Sequence, residues 1–168
     1  MKAITQLVAL AILLLALPAA AQTTYDWSAV GSTGAVTPGQ SGYIFTGPTF
    51  TFASLRTGNQ FARYQVTNTY GSGASKTPGW TTLWASYTDD SNTGSVTVRL
   101  IEVDKCSNTE TQICSITSSD GTSDPQCSSC TFNSSTIDFA NNTYYIEVKL
   151  NRALRSTATE ALHSVGLN

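Results

Sequence analysis

Hydrolysis by an activated serine needs an imidazole beside the nucleophile, and the chain offers a single histidine, His163. It lies between Leu162 and Ser164 in an alternating segment, and no G-x-S-x-G turn presents a serine to it, so it reads as a structural or surface imidazole. A histidine-based metal centre fails for want of a second ring. Glycoside hydrolysis asks only for two carboxylates about 5 to 9 Å apart across a cleft. Glu102, Glu147 and Glu160 are the glutamates to consider. Glu147 alternates outward beside Lys149 and Glu102 sits at a strand edge, which is the pattern of solvated surface. Asp89, Asp90 and Asn92 before Gly94, and Asp120 with Asp124, offer hard oxygen ligands for calcium. Neither set has EF-hand spacing, and Asp, Asn and Gly also make turns. The expectation is a protein that is not an enzyme, with no metal and no cofactor.

Aromatic side chains supply a different chemistry. In the segment 80–88, Trp80, Thr82, Trp84 and Ser86 share one face of an extended strand, with Thr81, Leu83, Ala85 and Tyr87 on the other. Two indoles projecting together would form a platform on which sugar rings stack. Burial in a core or interface is the competing role, because large aromatics contribute most when buried. Trp27 reads as packing an N-terminal lead-in onto a sheet.

Four cysteines, Cys106, Cys114, Cys127 and Cys130, fall within 25 residues. In an exported chain disulfides are the default, and four cysteines allow three pairings. A hairpin would bring Cys106 and Cys114 into bridging range, leaving Cys127 and Cys130 to close a long loop; the nested pairing of Cys106 with Cys130 and Cys114 with Cys127 is the rival. A four-thiolate zinc cage is disfavoured because only Cys127-Ser128-Ser129-Cys130 has C-x2-C spacing. A redox role is disfavoured because that pair lacks a helix start and a βαβ context.

The elements that must hold these residues are strands. The segment 143–151 sets Tyr144, Ile146, Val148 and Leu150 on one side and Tyr145, Glu147, Lys149 and Asn151 on the other, a half-buried strand. Segments 60–69, 43–46, 49–54, 80–88, 95–103, 111–117 and 161–167 follow, separated by turn chemistry such as Gly47-Pro48, Gly71-Ser72-Gly73 and Asn141-Asn142. In 95–103, Val96, Val98 and Leu100 share a face that continues into Glu102 and Asp104. Either a bulge near Leu100 re-phases the strand, or it is a central strand apolar on both sides with an acidic end. About eight strands with no convincing helix predict an all-β fold, an antiparallel β-sandwich of jelly-roll type with a disulfide-stapled loop. A closed barrel is the alternative. Residues 118–135 form the longest expected loop, 22–42 an irregular lead-in with at most a short edge strand, and 43–168 a single sandwich domain.

Residues 1–21 read as a secretory signal peptide: Lys2, an apolar run from Leu7 to Leu17, then Pro18 and Ala19-Ala20-Ala21. The run is half the roughly 20 residues a membrane span needs. Cleavage after Ala21 leaves eight basic and eleven acidic side chains, a net charge of −3. With its cations scattered singly, such a chain is no nucleic-acid binder. No second apolar span follows, so no membrane insertion is expected after cleavage.

Tyr25-Asp26-Trp27 near the mature start, with Phe61 to Asn68 and Asp138 to Leu150, resembles small exported bacterial β-sandwich proteins of unknown role. The resemblance implies a sandwich without an assigned activity and carries over no functional residues. The resulting expectation is a secreted, extracellular or periplasmic, non-enzymatic module with a structural, adhesive or surface-interaction role. Its partner would be a polysaccharide or another surface protein. The alternative is a carbohydrate-binding module built on Trp80 and Trp84.

Overall fold

Alternating side chains and turn clusters do fold this chain into strands. The computed structural model describes residues 26–68, 78–90, 92–118, 123–153 and 158–168; the signal-peptide segment and Asp120 lie outside them. Eleven strands form among the described residues: β1 (Trp27–Val30), β2 (Ala35–Val36), β3 (Tyr43–Thr46), β4 (Thr49–Phe52), β5 (Gly58–Val66), β6 (Thr82–Asp89), β7 (Ser95–Asp104), β8 (Glu110–Thr117), β9 (Gln126–Thr131), β10 (Asn142–Arg152) and β11 (Glu160–Leu167). Sheet A runs β3-β4-β11-β6-β9, with β1 also on β11, and sheet B runs β2-β5-β10-β7-β8. Every pairing is antiparallel.

The eight strands from β4 to β11 follow one nested scheme. The β7–β8 hairpin is innermost, β6 pairs β9 around it, β5 pairs β10, and β4 pairs β11. Rolling that long double ribbon into two layers gives the jelly roll. Between the layers lie Leu83, Ala85 and Tyr87 of β6 and Leu162, Val165 and Leu167 of β11. Val96, Val98 and Leu100 of β7 and Ile146, Val148 and Leu150 of β10 face them. All twelve are buried to 1% exposure or less. At roughly 1.5–3 kcal/mol for each large aliphatic side chain, this layer supplies the main driving force.

Several expectations are corrected here. The supposed loop 118–135 contains β9, an edge strand of sheet A, whose inward positions are Ser128 and Cys130 rather than large apolar residues. The lead-in carries two strands: β1 lies on β11, and β2 lies on β5 after a 3₁₀ turn at Gly31–Thr33. Gly31 is needed at that turn because a Cβ would come within 2.2 Å of the Leu162 carbonyl oxygen. The Tyr64 hydroxyl donates to the Gly31 carbonyl at 2.6 Å, tying the turn to sheet B. β7 keeps its phase throughout, with Leu100 opposite Ile146 and Glu102 opposite Tyr144. The bulge falls instead on its neighbour, where Leu100 pairs Cys114 and Ile101 pairs Gln112, leaving Ile113 extra.

The cysteine pairing also differs from both pairings favoured by spacing. Cys114 of β8 is bonded to Cys130 of β9, with Cα atoms 6.2 Å apart, and Cys106 and Cys127 are free and exposed. The pleat explains it: residues three apart on a strand face opposite ways, so Cys127 points out where Cys130 points in. The bond joins the edge strands of the two sheets, and it removes the thiolates a zinc cage would require.

At the end of the sandwich where β10 finishes and β11 starts, Arg152 Nε donates to Glu160 Oε2 at 2.6 Å, with Glu160 fully buried. Arg152 also lies over the Phe52 ring, 4.5 Å from its centroid. Glu160→Gln should destabilise the protein by about 3–5 kcal/mol, read as a lower denaturant midpoint, because it strands a buried guanidinium. Alkylation of the unreduced protein should modify Cys106 and Cys127 alone. Replacing Cys114 and Cys130 by alanine should remove about 3 kcal/mol, the entropy of a loop of this size.

Candidate functional site

A two-layer sandwich leaves each sheet one outward face, and that of sheet A is built from small polar residues around one indole. Paired residues share a face, so Ser129, Trp84, Gly166 and Ser28 form one outward row across β9, β6, β11 and β1. The neighbouring row is Cys127, Ser86, Ser164 and Val30. In Trp84's own row no other side chain has more than two heavy atoms, and the indole is half-buried. It lies over Gly166, where a Cβ would come within 2.6 Å of Trp84 Cε2 and Cζ2. Glycine at 166 is what allows the ring to lie down on the sheet.

Beyond these rows β11 bulges at His163, between Leu162 and Ser164. The extra residue turns the imidazole outward, between Thr88 and Thr49. Thr88 Oγ1 lies 2.8 Å from Nε2 and Thr49 Oγ1 lies 3.3 Å from Nδ1. Partial burial holds the ring's pKa below its ordinary value. The face therefore offers a half-buried indole, serine and threonine hydroxyls and one imidazole, with no charged side chain in the two Trp84 rows.

Trp80 does not join Trp84. It precedes β6, where both Thr81 and Thr82 give their N–H groups to the Asn168 carbonyl, so the strand alternation does not extend back to it. Its indole is fully buried and meets Phe139 edge-on at 6.2 Å, and Phe139 meets Tyr144 at 5.0 Å. Trp80 is core, and only Trp84 remains of the two-indole platform.

The three glutamates do not converge. Glu102 points into the sandwich and accepts from the Tyr144 hydroxyl at 2.9 Å. Burial is the main cause that pushes that phenol up to about 12. Glu147 lies on the outer face of sheet B, not solvated as the alternation beside Lys149 had indicated but clamped between Arg63 and Arg99. Glu160 belongs to the ion pair with Arg152. Of the acidic turn residues, Asp89 is buried and accepts from the Ser118 hydroxyl, and Asp90 Oδ1 accepts from the Thr159 N–H. Among the described residues no group of three or more His, Cys, Asp or Glu side chains could hold a metal ion.

The alternation put Trp84 on one face with Trp80, with burial in a core or interface as the competing role, and missed Ser28, Ser129, Ser164 and Gly166 as its neighbours. Their only signal is cross-strand register, which a single sequence does not display.

No protein-family model and no curated protein matches the chain. Among solved structures it superposes on one described as "Structural basis for the promiscuous specificity of the carbohydrate-binding modules from the beta-sandwich super family". The TM-score is 0.44 at 10% identity, over 86% of this chain and 52% of that one. A second, described as "CBM4 structure and function", gives a TM-score of 0.37 at 11% identity, over 86% of this chain and 88% of that one. The chain thus spans about half the length of the first. Both are distant likenesses, and the chemistry of the site rests on its own residues.

A desolvated imidazole binds its proton less readily than in the unfolded chain. Its stabilising contribution is therefore complete above about pH 6.5 and is lost as pH falls below it. Wild type should lose more melting temperature than His163→Gln between about pH 7 and pH 5.

Proposed function

We propose that this protein is an exported, non-catalytic binding module that takes neutral polysaccharide on the outer face of sheet A. The observation that carries this reading is Trp84, a half-buried aromatic ring lying over Gly166 on an outward sheet face, in a row whose other members are serines and glycine. The apolar C–H face of a pyranose would stack on it, and the ring hydroxyls would meet Ser28, Ser86, Ser129 and Ser164. The lack of charged side chains in the two Trp84 rows, among the described residues, suits an uncharged ligand. Glu102, Glu147 and Glu160, each held by a structural partner and separated from the others, favour binding over turnover. The inter-sheet disulfide favours an oxidising compartment.

A glycan array of neutral polysaccharides is the test. Retention should fall about tenfold or more in Trp84→Ala, equivalent to at least about 1.4 kcal/mol, with melting confirming the fold. Cys127 lies diagonally beside Trp84, so a bulky maleimide on Cys127 should block retention, whereas one on Cys106 should not. If no neutral glycan is retained, the structural or adhesive role replaces this reading.

A further inference from the structure

The outer face of sheet B has a different chemistry. One row crosses it as Ala35, Arg63, Glu147, Arg99 and Ser115. Glu147 points outward yet is only 7% exposed, because both guanidiniums close over it. Arg63 gives Nε and Nη2 to Oε2 at 3.2 and 3.1 Å, and Arg99 gives Nη2 to Oε1. One carboxylate thus fixes two cations whose side chains remain 49% and 36% exposed. Arg63 Nη1 and the Nε and Nη1 of Arg99 have no acceptor among the described residues. Lys149 stands on the same face two residues along β10, roughly 7 Å away, and forms no ion pair among the described residues. The other carboxylate of this face, Glu110, engages the Tyr145 hydroxyl. Among the described residues, three cations against two carboxylates leave the face positive on a protein whose net charge is −2.

Two guanidiniums already ordered by a covered carboxylate lose little rotamer freedom when a second anion arrives, and their planar forks match a carboxylate. The surroundings describe the rest of that ligand. Arg63 stacks on Tyr145 at 4.6 Å, Phe61 lies beside Lys149, and the amides of Gln65 and Asn151 flank the cations. A shallow groove of about 250 Å³ runs along Arg63, walled by Ala35, Val36, Thr37 and Pro38. Aromatic rings, amides and spaced cations on a flat sheet fit sugar rings that each carry a carboxylate. We propose that this face binds an acidic polysaccharide of the polyuronate class, at a site separate from Trp84.

The test is calorimetric titration of the full chain with polygalacturonate at low salt, with neutral dextran and poly-glutamate alongside. Polygalacturonate should bind with an affinity that falls steeply as salt is added. Arg99→Lys, which keeps the charge but loses the fork, and Lys149→Ala, which removes a cation with no ion pair, should each weaken it about fivefold or more. Trp84→Ala should leave it unchanged, so this site and the neutral-glycan face fail or stand separately. Binding unaltered in either Arg99→Lys or Lys149→Ala, or no binding at low salt, overturns the proposal. Equal binding of poly-glutamate overturns the saccharide assignment in favour of an acidic peptide.

Discussion

The structure depends on one constraint: the apolar layer between β6 and β11 on one side and β7 and β10 on the other. A strand turns alternate side chains to opposite faces, so residues that commit their inward neighbours to this layer are themselves fixed outward. Leu83 and Ala85 in the core place Trp84 on the surface. Ile146 and Val148 do the same for Glu147. Each outward position is thus held by the packing beneath it, on the most rigid elements of the molecule, which is the support that a preformed recognition surface needs.

Because the two outer faces share no side chains, they can differ in chemistry. That of sheet A, among the described residues, carries no charged side chain in the two Trp84 rows and relies on hydroxyls, an imidazole and a ring. That of sheet B gathers Arg63, Arg99 and Lys149. The ionisable groups drawn inside are each matched to a partner: Glu160 to Arg152, Glu102 to the Tyr144 hydroxyl, Asp89 to Ser118. An unmatched buried charge would cost several kcal/mol, so these carboxylates serve the fold.

The eight strands legible in the sequence were those whose alternation or β-favouring residues stood between clear turn clusters. β9 was not, because an edge strand can present Ser128 and Cys130 inward and still pair. β1 and β2 were hidden by the Gly31 and Gly34 that let the chain pass from one sheet to the other. Trp80 was misplaced because alternation was carried two residues beyond the start of β6. The disulfide and the Arg63–Glu147–Arg99 row depend on which strands become neighbours, and Cys114, Cys130, Arg63 and Arg99 carry no local sign of that. Trp84 was legible as a member of an alternating face, with burial as the competing role, and its small neighbours lie on three other strands, as distant in sequence as Ser28 and Ser164.

The Cys114–Cys130 bond also gives the sandwich a bound spine and a fore-edge. It stitches the β8 and β9 margins together, whereas the opposite margins are β2 and β3, strands of two and four residues joined by the main chain of residues 37–42 but by no disulfide. Partial opening of the two layers therefore proceeds like a book hinged at the cystine. It exposes the N-terminal leaves first and keeps β6 and β7, next to the spine, closed until the whole fold gives way.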